Sequence, residues 1–134
     1  MIVQGQKFRK EFAITFDQVK RFAEVTGDHN PIHLEKQYAE AHGFKQTIVH
    51  GFLSGSIFSK ILGTEFPGEG TIYLSQEMSF KAPVFPDEEL VADMEVLDVT
   101  PSGRFLIQTV VRSKETDEIK IDGQARVLYR GTSS

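Results

Sequence analysis

The chain has 134 residues, 40% of them hydrophobic and 11 of them Phe, which is enough for one domain with a sizeable core and too few for two. A net charge of −4 supplies no basic field, so nucleic acid and anionic membrane are poor partners, although a local cation such as Lys81 could still meet an anionic ligand. With no cysteine there is no disulfide framework and no thiolate chemistry, and the start MIVQGQKFRK lacks the apolar core of a signal peptide; a cytoplasmic protein is expected.

In chain order, KEFAITF (10–16) alternates Phe12, Ile14 and Phe16 with Ala13 and Thr15, the pattern of a first strand with one buried face. A helix follows: Thr15 and Gln18 have capping-box spacing, Val19, Phe22 and Ala23 share a face, and Gly27 stands where a left-handed helix stop is needed. EKQYAEAHG (35–43) predicts a short second helix with its own terminal glycine, which makes 28–33 a loop between helices. The segment IVHGFLSGSIFSKILG (48–63) falls short of the roughly 20 residues that span a bilayer. Over 50–62 it is apolar nearly all round, with Gly51, Ser54, Gly55, Ser56 and Ser59 spread over several faces, so it reads as an enclosed helix that strands approach closely. Segments 72–80, 89–97, 104–112 and 121–129 have β character and are broken at APVFPD, TPSG and KETDE, which predicts a meander of long strands. KETDEIK reads as a solvated hairpin tip, and GTSS (131–134) as a frayed tail. The expected fold is α+β, one domain over 1–134 with a curved antiparallel sheet wrapped around a central apolar helix.

TGDHNPIH (26–33) concentrates polar groups beyond what a turn requires. Asn30 and Pro31 taken singly suit helix capping and turn formation, and His29 suits an exposed position. His33, beside Ile32 and Leu34, is expected in a partly buried space near Asp28, where a carboxylate and an imidazole are costly unless they pair; such pairs cluster at working sites. A metal site built on His29 and His33 is disfavoured because Pro31 interrupts the helix that would put them on one face. A Ser-His-Asp hydrolase using Ser54, Ser56 or Ser59 lacks a G-x-S-x-G elbow.

FAEVTGDHNPIH (22–33) closely resembles the hydratase signature of the MaoC-like dehydratases, the R-specific enoyl-CoA hydratases, which ends in Gly-Asp, any residue, Asn-Pro, an aliphatic residue and His. IVHGFLSGSIFSKILG resembles that family's central helix, and FPGEGTIYLSQEMSFKAPV (66–84) its next loop and strand, so the likeness runs from about 15 to 97. One departure is FPDEEL (85–90), where many relatives have Gly-Asp after the proline and this chain has Asp87-Glu88, which puts the local turn geometry in question. The resemblance implies a hot dog fold and syn addition of water to a trans-2-enoyl thioester, giving an (R)-3-hydroxyacyl thioester, with no cofactor beyond the acyl-CoA substrate. It implies Asp28 and His33 as the acid–base pair, supported by Asn30 and Pro31. The opening turn of the central helix, marked by His50 and Gly51, would receive charge on the thioester oxygen through free backbone amides. Ser59 matches a serine near the family's active site and is a candidate substrate contact, with plain packing as the other reading. The implied carrier is CoA, with acyl carrier protein as the alternative, and the implied assembly a homodimer. A hot dog thioesterase and a non-catalytic acyl-thioester binding protein are the competing functions.

Overall fold

The computed structural model describes residues 1–131. The last three residues of the expected frayed tail lie outside that range. A strand β1 (Lys7–Phe12) leads into helix α1 (Phe16–Thr26), two short helices α2 (Pro31–Leu34) and α3 (Lys36–Ala41), and the long helix α4 (Gly51–Thr64). Four strands follow: β2 (Ile72–Phe80), β3 (Leu90–Val99), β4 (Arg104–Ser113) and β5 (Ile119–Leu128). No helix among the described residues is long and apolar enough to cross a membrane.

Local chemistry explains most boundaries. Thr15 caps α1, its side chain accepting from the Gln18 amide while the Gln18 side chain reciprocates, and Gly27 ends the helix in the left-handed region at φ 81°. The expected first strand is displaced toward the N-terminus. It ends at Phe12 because the cap at Thr15 already commits the chain to a helix; Ile14 is buried in the connection and Phe16 opens α1.

The five strands form one antiparallel sheet in the order β1-β3-β4-β5-β2. Only β3, β4 and β5 make the expected meander, since β2 crosses to pair with β5 at the far edge. Register shifts between Tyr73 and Ser75 and between Val96 and Asp98 mark irregularities that bend the strands. The concave face buries Leu90, Met94, Val96, Ile107, Ile121 and Val127 against Phe58, Ile61 and Leu62 of α4. Bare glycines let β2 lie close to that helix: a Cβ on Gly55 would stand 2.6 Å from the Met78 sulfur, and one on Gly51 2.9 Å from the Phe80 ring.

The Asp87-Glu88 departure has a structural resolution. Asp87 takes a left-handed conformation at φ 65°, where glycine is at ease, and its amide donates to the Ile14 carbonyl at 2.7 Å. Glu88 accepts from the Phe85 amide and pairs at 3.1 Å with Lys120, a buried lysine that also meets Glu118 and the Pro83 carbonyl. The turn is thus tied to α1's approach and to β5.

Candidate active site

The left-handed stop at Gly27 turns the chain off α1, and three short-range bonds shape the loop beyond it. The Asp28 amide donates to the Thr26 hydroxyl, the Asn30 amide to the Asp28 carboxylate at 3.3 Å, and the Asn30 side chain accepts from the Ile32 amide at 3.2 Å. Asn30 is therefore the N-cap of α2 and Pro31 its first residue, both well suited to these positions. The expected loop over 28–33 is in part this single helical turn, which carries His33 inward while Asp28 stays exposed.

His33 is 9% exposed, and its Nδ1 lies 2.8 Å from the Ile48 carbonyl. A carbonyl only accepts, so Nδ1 carries the hydrogen and Nε2 is left as a lone pair able to take a proton. Burial pushes the His33 pKa down, and nearby His50 adds to this; the Ile48 carbonyl and Asp28 act in the opposite direction. An Asp28 carboxylate oxygen and one ring nitrogen each of His33 and His50 lie within 4.8 Å of one another. Two acceptors at that separation can both reach one water at about 2.8 Å.

These groups line a cavity of about 590 Å³, bounded by Phe22, Val49, Phe80 and Val84 and bordered by the exposed Lys81. Gly51 lies on its wall at the start of α4. His50, the N-cap residue, makes no side-chain cap bond, and its carbonyl accepts from Leu53 and Ser54. The helix therefore opens with backbone amides that its cap does not occupy, at the positive end of the dipole. On its Cβ side Gly51 is packed against Phe80, so the glycine there accommodates a ring of this chain.

Not every candidate joins the site. His29 is exposed, and His42 bonds to the Tyr38 carbonyl on the exposed face of α3. Ser59 is exposed on α4 and does not line the cavity, because eight residues from Gly51 carry it two turns along the helix. Ser54 lines the cavity instead, one turn from Gly51, with its hydroxyl donating to the Gly51 carbonyl at 2.9 Å rather than to a histidine. Ser56 is exposed and donates to the Leu53 carbonyl. Residues 28 and 50 meet through a bond that local spacing does not reveal, His50 Nε2 to the Asp28 carbonyl. Asp28, His33 and His50 together are the described cluster with metal-ligand chemistry, a trio that the spacing of His29 and His33 did not bring to light. Yet the His33 and His50 rings stack, with centroids 3.9 Å apart and planes at 29°, and one nitrogen of each is already bonded to a backbone carbonyl, which leaves a single nitrogen per ring for a metal.

The family model described as "MaoC like domain" matches residues 1–119. The chain belongs to this family. It is 45% identical over 92 residues to an (R)-specific enoyl-CoA hydratase of Aeromonas caviae, covering 69% of each chain. It is 33% identical over 127 residues to another from Rhodospirillum rubrum, covering 95% of this chain and 88% of that one. The structure of an unliganded R-hydratase from Pseudomonas aeruginosa superposes with a TM-score of 0.91 at 36% identity, covering 98% of this chain and 84% of the other. The fold of this MaoC-like chain is accordingly the hot dog, with its sheet closed over α4.

Proposed function

We propose that the protein is an R-specific enoyl-CoA hydratase, a hydro-lyase that adds water across the double bond of trans-2-enoyl-CoA. The observation that carries this reading is the single cavity in which Asp28, His33 and the uncapped start of α4 face one another. Asp28 and the free Nε2 of His33 hold one water and accept from it, which raises the nucleophilicity of an otherwise weak attacker. Its oxygen bonds to C3, and the electron pair of the C2–C3 double bond moves onto the thioester oxygen. Backbone amides at Gly51 and Phe52 receive that charge without reorganising. The dyad returns the proton to C2 on the same face, so the product gains one hydroxyl and one hydrogen and the thioester stays intact. The proton transfers are assigned to the pair and not to either member alone.

Asn30 and Pro31 hold the turn that aims both groups. Ser59 takes no part in this step. The reaction is redox-neutral, with water supplying both added groups, and calls for no cofactor. Lys81 at the cavity border is the cation that the phosphate of a phosphopantetheine arm would meet; CoA is the carrier favoured by the likeness to the CoA hydratases, with acyl carrier protein as the alternative, and a CoA-linked substrate fits the cytoplasm. The assembly we propose is a homodimer.

Crotonyl-CoA, followed by enoyl absorbance and free thiol together, tests the reaction. Absorbance should fall while no thiol appears, and longer enoyl chains extend the test to a deeper acyl pocket. Thiol release would replace the hydratase with a thioesterase, and no change with any chain length would leave a binding protein. Coupling to an (R)-specific 3-hydroxyacyl-CoA dehydrogenase should give turnover; turnover only with an (S)-specific one rejects the stereochemistry.

A further inference from the structure

In the proposed step the charge falls on the amides of Gly51 and Phe52, and the His50 side chain just before them has no part. It is 2% exposed, and its imidazole caps nothing although it stands at the N-cap of α4. The ring instead lies between three partners. One face stacks on His33 at 3.9 Å, Phe22 approaches with a tilt of 53° at 4.8 Å, and Nε2 lies 3.1 Å from the Asp28 carbonyl. Since that oxygen only accepts, the hydrogen of His50 sits on Nε2, and Nδ1 is a buried lone pair with no hydrogen-bond partner among the described residues.

We infer that His50 is a positioning residue that fixes the separation of the two proton-handling groups, clamping the Asp28 backbone with its Nε2–H and backing the His33 ring with its face. This deepens the hydratase reading and rests on it. The need for such a residue follows from how the dyad is held. Asp28 sits on an exposed stretch whose other ties run to Thr26, the last residue of α1, and to Asn30 in the same loop, and neither of them reaches His33 or the head of α4. The bond from His33 Nδ1 to Ile48 fixes one end of the imidazole but leaves the ring free to rock about the Nδ1···O axis, and a stacked neighbour removes that freedom. One imidazole anchored at the head of α4 thereby ties α2 and the loop after α1 to a common reference. A phenyl ring could stack but not donate. A Gln amide could place a nitrogen near the Nε2 position but not stack.

The two readouts derive from the groups that face His33: His50 from α4, Asp28 from the loop after α1, the Ile48 carbonyl and, across the same cavity, Lys81. After burial, His50 is the next influence that holds the His33 pKa down. His50→Phe keeps an aromatic packer, removes the donor and removes that influence. We expect kcat for crotonyl-CoA hydration to fall by up to about 100-fold, the scale of misplacing reacting groups by about 1 Å, with KM changed far less. The acid limb of kcat/KM and the His33 titration followed by NMR should both move to higher pH. His50→Gln, which keeps an amide donor, should lose less in kcat than His50→Phe, and it carries the test if the Phe variant does not fold. A folded variant with the parent's kcat, or one with an unmoved His33 titration, overturns the inference, because a side chain that only packs would alter stability and leave the dyad's protonation where it was. The NMR titration needs no turnover, so a parent that fails to hydrate any enoyl-CoA rejects the hydratase reading and still leaves the coupling of His50 to His33 measurable.

Discussion

Asp28 and His33 differ in how much structure depends on them. Asp28 is exposed and, among the described residues, its carboxylate accepts only the Asn30 amide, so Asp28→Asn should leave the fold intact and lower kcat by about two to four orders of magnitude, the usual scale for a lost acid–base group. His33→Ala should cost the same in rate, and also some stability, because it empties the space between Ile48 and His50. Steady-state hydration with a parallel thermal melt checks both; near-parental turnover in either removes it from the chemistry. The pH dependence has a defined sign. A folded-state pKa below the unfolded value of about 6.5 means that the unfolded chain takes up the His33 proton first, so His33 favours folding above about pH 6.5 and that contribution is lost as pH falls through the lower folded value. Thermal stability should therefore decline on acidification, and less so in His33→Gln; identical pH profiles of melting in parent and variant would contradict the depressed pKa. The closeness of Asp28 and His33 was readable in TGDHNPIH because they are five positions apart and their spacing is local. Ile48 and Phe80 were not readable as neighbours of that pair, since they arrive from the connection before α4 and from β2; His50 was expected at the site only as the mark of the helix start, and its bond to Asp28 spans 22 positions.

The same division between local and remote governs the elements. The capping box at Thr15, the stop at Gly27 and the apolar α4 are set by residues within a few positions of one another, and the sequence reveals each of them. The end of β1 depends on two local signals that compete over the same residues, and the placement of β2 on distant segments. Phe12, Ile14 and Phe16 keep a strand's alternation, but a helix cap within the run ends the strand; nothing within 72–80 states that its partner is β5 rather than β3. The turn before β3 joins both kinds of information. Its sequence departs from relatives at Asp87-Glu88, and only the fold shows that Asp87 bears a positive φ. A left-handed conformation costs an L-residue roughly 1–2 kcal/mol, partly relieved for Asp, so Asp87→Gly should raise stability by up to about 1 kcal/mol. Urea unfolding should show a higher midpoint with an unchanged slope, and a lower midpoint would mean that the Asp87 side chain stabilises the turn by more than its backbone strain costs.

At the scale of the molecule, the two sheet edges are built differently. On the β1 edge Lys7, Arg9 and Glu11 are exposed, and charged side chains deter a second strand. The β2 edge leaves Ile72, Tyr73, Leu74 and Phe80 substantially exposed, and Phe52, on the first turn of α4 and on the cavity wall, is 73% exposed beside Phe80. An unpaired apolar edge continuous with an exposed aromatic is a surface that a second copy can cover symmetrically, each β2 serving as the other's partner. Light scattering should accordingly give twice the chain mass at micromolar concentration. Replacing Ile72 and Leu74 by Lys should shift the mass to that of a monomer, because two like charges opposite their symmetry mates oppose pairing while leaving the α4 core untouched. Since Phe52 and Phe80 belong to both this surface and the cavity, the monomeric variant should also lose much of its kcat/KM for crotonyl-CoA. A variant that is monomeric and fully active would separate assembly from catalysis, and a parent that is already monomeric would show that some other feature protects the β2 edge.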